Sequence, residues 1–308
     1  MTSRSLTRGL SAALFGAVLF AAPVAHAQSS RDKVVSTLVE VLKAAGAKEV
    51  TYGSVSGDDA KFTLKDIKVE LEAEGKSSEM TVVSATYTGA SVTADGGFKA
   101  DAIEIGDLSI GDDETEITVD SWKITNYVGQ GPAAVAASKG FGDRFDGMEL
   151  TGIEVDGGDI TVPIYSISVR TTEHVAGIPR KATVAMRGLV VPVDPAKPES
   201  KELADLGYKE VAVDFDFAGG WDEKAQRLSV DTLTFNGKNI GALSLAFAFG
   251  NVTAEAMKGL QEAANDNAKQ IEILQGFSIE KISLRFDNAS LVDRMLDAQA
   301  KKQGTSRD

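Results

Sequence analysis

The sequence predicts a mainly β protein of the α+β kind, built from long bent antiparallel strands in a meander or groove-like sheet with a few peripheral helices. Three observations predict it. Apolar residues recur at period 2 in short pairs, and successive pairs are separated by two polar or small residues. Two further runs alternate without a break. Stripes at helical spacing are few and short.

The broken pattern runs through most of the chain. Phe62 and Leu64 precede Lys65-Asp66, then Ile67 and Val69 follow; Ile103 and Ile105 precede Gly106-Asp107, then Leu108 and Ile110. Ile117 and Val119 precede Asp120-Ser121, then Trp122 and Ile124; Met148 and Leu150 precede Thr151-Gly152, then Ile153 and Val155. Val162 and Ile164 stand before Tyr165-Ser166, with Ile167 and Val169 after it. Val184 and Met186 are followed by Arg187-Gly188, Leu189 and Val191. Leu228 and Val230 lead to Asp231-Thr232, Leu233 and Phe235, and Phe277 and Ile279 to Glu280-Lys281, Ile282 and Leu284.

Period 2 gives a strand one buried and one wetted face. A two-residue break shifts the phase by one residue, so a straight strand would turn its second half outward. The chain avoids this with a β-bulge or with a sharp corner in the sheet, and Gly, Asp, Ser and Thr at the breaks suit either. In the unbroken runs, Val211, Val213, Phe215 and Phe217 alternate with acidic or small residues, and Leu243, Leu245, Phe247 and Phe249 with Ser and Ala. Trp221 to Gln226 reads as a turn between them, so Lys209 to Val252 is expected to be a meander of consecutive strands.

Five segments are expected to be helical. Ser30–Ala45 carries Val34, Val35, Leu38, Val41 and Leu42 and stops at Gly46. Pro132–Lys139 starts with Pro and is followed by Gly140. Ser200–Leu206 stops at Gly207. Thr253–Leu274 has Thr253 as N-cap, and Asn288–Gln303 has Leu291, Met295 and Leu296 as its apolar contacts.

The first 27 residues read as an export tag. Arg4 and Arg8 precede an apolar run from Leu10 to Val24, and Ala25-His26-Ala27 offers a small-x-small cleavage site after Ala27. The run is shorter than the ~20 residues a spanning helix needs. The expectation is a periplasmic protein with no transmembrane segment after cleavage. Residues 28–308 would form a single β-rich exported domain, and the Pro-dense segment 192–199 is where two halves would join.

The chain carries 32 Lys+Arg and 45 Asp+Glu, and losing Arg4 and Arg8 with the tag takes the net charge from −13 to −15. An electrostatically driven nucleic-acid binder is excluded on that balance. Cysteine is absent, which removes thiol nucleophiles, thiolate metal sites and acyl-anchored lipoproteins from consideration.

Catalytic constellations are equally scarce. Without His26, His174 is the one histidine, and its neighbours Thr171, Thr172, Glu173 and Gly177 read as a loop. Asp112 to Glu116 and Asp156-Gly157-Gly158-Asp159 offer oxygen ligands but lack EF-hand spacing and read as charged hairpin tips. Asp214 with Asp216, and Asp293 with Asp297, read as solvated carboxylates. No catalytic, cofactor-binding or metal residue is assigned.

The phase-shifted strands, Leu206-Gly207-Tyr208 before acidic strands, Trp221-Asp222, and the Ser290-Leu291-Val292-Asp293-Arg294 helix resemble uncharacterised exported proteins of Alphaproteobacteria. Over residues 100–303 the chain is also similar in texture to AsmA-type and YdgA-type periplasmic β-groove proteins. The AsmA-type resemblance implies envelope lipid handling and transfers no functional residue. The expected function is therefore non-enzymatic: holding a lipid or other apolar ligand in a curved sheet. The alternative is a structural or partner-binding envelope module that pairs with an envelope protein through an exposed strand edge.

Overall fold

The computed structural model describes residues 29–73, 76–112, 114–137, 143–175, 178–263 and 266–305. The export tag lies outside them. The fold is mainly β. Fourteen strands belong to one antiparallel sheet whose order follows the sequence, with two short strands as side branches. The chain divides into two compact units at Ser166/Ile167.

The first unit holds α1 (Ser30–Ala44), β1 (Ala47–Thr51), β2 (Ser54–Gly57), β3 (Lys61–Ala73), β4 (Lys76–Thr88) and β5 (Ser91–Val92). It continues through β6 (Phe98–Gly111), β7 (Glu116–Val128), α2 (Pro132–Ala137) and β8 (Gly147–Asp156). The boundary falls inside β9 (Thr161–Val175). The Ser29 hydroxyl caps α1 by accepting from the Asp32 amide, and the Asp59 carboxylate accepts from the amides of Ser30 and Arg31. The stripe Val34, Val35, Leu38, Val41 and Leu42 is buried, and the helix packs on β1, β5, β6 and α2. An aromatic row crosses the strands of this unit: Phe62 stacks on Tyr87 at 5.1 Å, Tyr87 meets Phe98 edge-on at 6.3 Å, and Phe98 lies 5.0 Å from Tyr127.

In this unit the breaks are aligned across the strands. Lys65↔Ser84 and Ile67↔Val82 pair on either side of one level, which sets Asp66 opposite Val83. The flanking pairs likewise set Val83 opposite Asp107, Asp107 opposite Asp120, and Asp120 opposite Gly152. The long strands β3, β4, β6, β7 and β8 thus change phase at the same line, and the ladder keeps its register. Alternate members adopt left-handed backbone: Asp66 at φ 53°, Asp107 at 51° and Gly152 at 61°. A second line joins Gly89 (φ 63°), Asp101 and Asn126 (φ 51°). Both halves of a strand therefore face inward: Ile103, Ile105, Leu108 and Ile110 are 0 to 8 % exposed. In β6 the buried residues Phe98, Ala100, Ile103, Ile105, Leu108 and Ile110 advance in alternate steps of two and three.

The second unit comprises the rest of β9, then β10 (Ile178–Pro192), α3 (Pro198–Asp205), β11 (Glu210–Asp222), β12 (Arg227–Gly237) and β13 (Gly241–Gly250). After these come α4 (Ala254–Glu262), α5 (Asn267–Leu274), β14 (Ser278–Asn288) and α6 (Leu291–Gln303). Here strands with a break alternate with the two strands that lack one. A break facing an unbroken neighbour must become a bulge, because two residues then oppose one. Register shifts occur at those places: at Arg187-Gly188 against Asp214, at Asp231-Thr232 against Ala246, and at Glu280 between Ala248 and Phe249 of β13. Corners in the first unit and bulges in the second are one sequence device under two neighbour relations.

Some elements differ from expectation. The segment 192–199 does not separate the units; it lies within the second, where Pro192 pairs with Glu210 and the Val193 amide donates to the Lys209 carbonyl. Thr253–Leu274 is two helices, because Asp266 starts a new one by accepting from the Lys269 amide. Trp221 is in β11 rather than in the turn, and its side chain is buried.

Candidate functional site

The broadest candidate feature is the apolar face of the second unit. Directly opposed residues of antiparallel strands point to the same side of a sheet. The register therefore builds apolar rows across β10 to β14. One row is Val184, Phe217, Leu233, Leu245 and Leu284; the next is Met186, Phe215, Phe235, Leu243 and Phe286. Val230, Phe247 and Ile282 form a third, and Trp221, Leu228, Phe249 and Ile279 a fourth. Phe215 and Phe235 lie 5.1 Å apart, and Phe247 and Phe249 5.5 Å.

Among the described residues, one end of this face is closed. Trp221 and Val252 form a buried cluster with Leu228, Phe249, Met257 and Phe277 packed against it, and the Trp221 indole N–H donates to the Val252 carbonyl at 2.8 Å. Away from this cluster the rows are half-buried, and along β14 they are open: Ile279, Ile282 and Leu284 are 66 %, 69 % and 67 % exposed. Every residue of β14 is exposed, on both faces. The corresponding residues of β3, β4, β6 and β7 in the first unit are buried.

The opposite face of the second unit is polar and small-residue: Ala242, Ser244 and Ala246 on β13, and Asp214 and Asp216 on β11. A hollow of about 460 Å³ lies against Ala182, Gly220, Ser229 and Arg227. Three of its cations are paired, with Arg180 3.3 Å from Glu223, Lys181 3.7 Å from Glu173, and Arg227 2.8 Å from Glu280.

The carboxylates singled out in the sequence serve the backbone. Asp214 accepts from the Gly188 amide at 2.8 Å, and Asp216 from the Arg187 guanidinium at 2.5 Å, so the pair clamps the β10 bulge. The bond to Asp216 holds the Arg187 guanidinium above its ordinary pKa. Asp112 accepts from the amides of Glu114 and Thr115, and Asp156 from that of Gly158. Asp113 lies outside the described residues. Asp293 accepts from the Asn288 side chain, and Asp297 is exposed on α6. Among the described residues no group of His, Asp and Glu is placed to hold a metal ion. His174 is half-buried near the end of β9, so it belongs to a strand rather than to the expected loop. Among the described residues no helix is long and apolar enough to cross a membrane.

One contact escaped the sequence. The Arg294 guanidinium lies 4.3 Å from the centroid of the Tyr208 ring and donates to the Leu206 carbonyl and the Ser290 hydroxyl. It ties α6 to the start of β11 and brings together Leu206-Gly207-Tyr208 and Ser290–Arg294, far apart in the chain. Each segment was visible, but nothing in either one encodes a meeting across so many residues.

A family model described as an uncharacterised protein matches residues 234–308, from within β12 through the open edge strand and α6. No curated protein and no solved structure matches the chain.

Proposed function

We propose that this protein is a non-enzymatic component of the bacterial periplasm, exported by its N-terminal tag and cleaved after Ala27, that holds a lipid or other apolar ligand on the apolar face of its second unit. One observation carries the reading: the same strand pattern is buried in the first unit and open in the second. Exposed apolar area costs about 25 cal/mol per Å² relative to burial. A row such as Met186, Phe215, Phe235, Leu243 and Phe286 offers an acyl chain a track across five strands. The face has no charged group among these residues, so it would select apolar chains and leave a head group in water.

Native mass spectrometry of the protein from its own periplasm, with lipid extraction, tests this. A bound lipid is expected, and Phe235→Asp, which puts a charge on an exposed position of the face, should release it. A protein free of lipid in every preparation would remove the reading. The uncovered edge of β14 favours a second reading, strand-to-strand pairing with an envelope partner. In the same spectra it would show as a stoichiometric protein.

A further inference from the structure

The edge strand β14 ends the strand order, so among the described residues no strand pairs with its outer backbone N–H and C=O groups. Charged side chains and the bulge at Glu280 interrupt this edge, but beyond the bulge Lys281–Asp287 is an exposed run, one face of which carries Ile282, Leu284 and Phe286. We infer that β14 pairs antiparallel with β14 of a second copy of this chain, about a two-fold axis at Leu284, joining two open sheets into one. This deepens the edge-pairing reading by naming the partner, and it is independent of the apolar ligand.

Self-pairing is tightly restricted by the side chains. A two-fold axis between residues would set apolar positions against polar ones, since the side-chain period is 2. An axis at Ser283 would place Lys281 opposite the partner's Arg285, a like-charge pair, and one at Ile282 would place Glu280 opposite the partner's Leu284. The axis at Leu284 does neither. Ile282 then faces the partner's Phe286, Leu284 faces the partner's Leu284, Ser283 faces the partner's Arg285, and Lys281 faces the partner's Asp287. By symmetry the Lys-Asp match occurs twice. The apolar residues share one side and the charges the other, because the register with β13 puts Leu284 beside Leu245 and Lys281 beside Ala248. The bulge at Glu280 limits the paired stretch to Lys281–Asp287. A closed two-fold contact also protects both edges from further growth.

The test is light scattering and sedimentation on the whole protein across the micromolar range. A dimer is expected. Lys281→Glu and Asp287→Lys, each placing like charges opposite each other twice, should each weaken it about tenfold or more. The exchange Lys281→Asp with Asp287→Lys should restore it. These side chains are exposed and leave the apolar face untouched. Because the chain has no cysteine, Leu284→Cys gives a second measurement, and oxidation should link two copies at this position but not at Ile279→Cys. A monomer throughout, a dimer indifferent to both reversals, or failure of the exchange to restore it would overturn the inference. A monomer with another protein bound at β14 would overturn it while leaving the edge-pairing reading standing; a monomer with nothing bound would remove both.

Discussion

Gly152→Ala tests whether the aligned corner is a real constraint on the fold. Gly152 has φ +61°, and a Cβ built there would lie 1.9 Å from a carboxylate oxygen of Asp120 and 2.3 Å from its Cγ. The left-handed conformation alone costs a residue with a Cβ about 1–2 kcal/mol. Pushing the Asp120 side chain off its rotamer adds about 1 kcal/mol. The expected loss is therefore about 2–3 kcal/mol from the first unit. Gly96→Ala separates the two terms, because Gly96 also has positive φ (82°) but open space around the missing Cβ. It should cost only the backbone part. Asp120→Ala in the Gly152→Ala background should recover about 1 kcal/mol, a coupling that a double-mutant cycle isolates. The assay is urea unfolding read by Trp122, in a Trp221→Phe background so that the first unit alone is observed. If Gly152→Ala costs no more than Gly96→Ala, or if Asp120→Ala recovers nothing, the corner is not built as described.

Other consequences can be measured directly. Burial pushes the Tyr87 phenol well above its ordinary range, and burial, with the Asp143 carboxylate that accepts its hydrogen bond, does the same to Tyr127. The folded chain keeps these protons after the unfolded chain has lost them, so stability is full below about pH 10 and falls as pH rises above it. Tyr87→Phe should make that alkaline decline shallower in a denaturation series, and an unchanged slope counts against the assignment. Trp221→Ala empties a closed cluster of the second unit and strands the Val252 carbonyl, so it should cost about 3–5 kcal/mol in denaturant unfolding. Stripping bound lipid should lower the stability of the second unit by about 4 kcal/mol where the lipid had stood at about a thousand times its dissociation constant. Trp221 fluorescence would report that loss, while Trp122 should report none. Amino-terminal sequencing of the periplasmic protein should begin at Gln28, and retention of Met1 in a membrane fraction contradicts export by cleavage.

The strand pattern was legible because each break is written locally, as two polar or small residues between apolar pairs. What was hidden lies in the relations between strands. Whether a break becomes a corner or a bulge depends on the neighbour, and period alone says nothing about which strand is the neighbour. The β4 instance escaped because Val83, an apolar residue, occupies its break; Met80 and Val82 precede it and Ala85 and Tyr87 follow, all buried, while Val83 is 54 % exposed. Trp221 was read into a turn because Gly219 and Gly220 interrupt the alternation that joins it to Phe217. For the candidate face, the apolar positions of β10 to β14 were named from the sequence except Phe286, which follows Leu284 in the same alternation, and Trp221, which was assigned to a turn. Their openness was not, since an identical alternation serves a closed core when a helix covers it.

Cover is what separates the two units. In the first, α1 brings a stripe of Val and Leu onto β1, β5, β6 and α2, and helix and strands bury each other there. In the second, the helices are amphipathic but leave apolar residues exposed themselves: Ile271 and Leu274 on α5, and Val292, Met295 and Leu296 on α6. Uncovered helix faces and an uncovered sheet face in one unit are a matched deficit of apolar partners. Such surfaces favour association, and a net charge of −13 opposes it at long range. That repulsion falls off within about 10 Å at ordinary salt. It therefore suppresses random aggregation but leaves contact-range pairing open. A neutral acyl chain meets no such repulsion at all, and a second copy meets it partly offset in the register that sets Lys281 against Asp287. The acidity of the chain and the openness of its second unit thus favour the same small set of occupants.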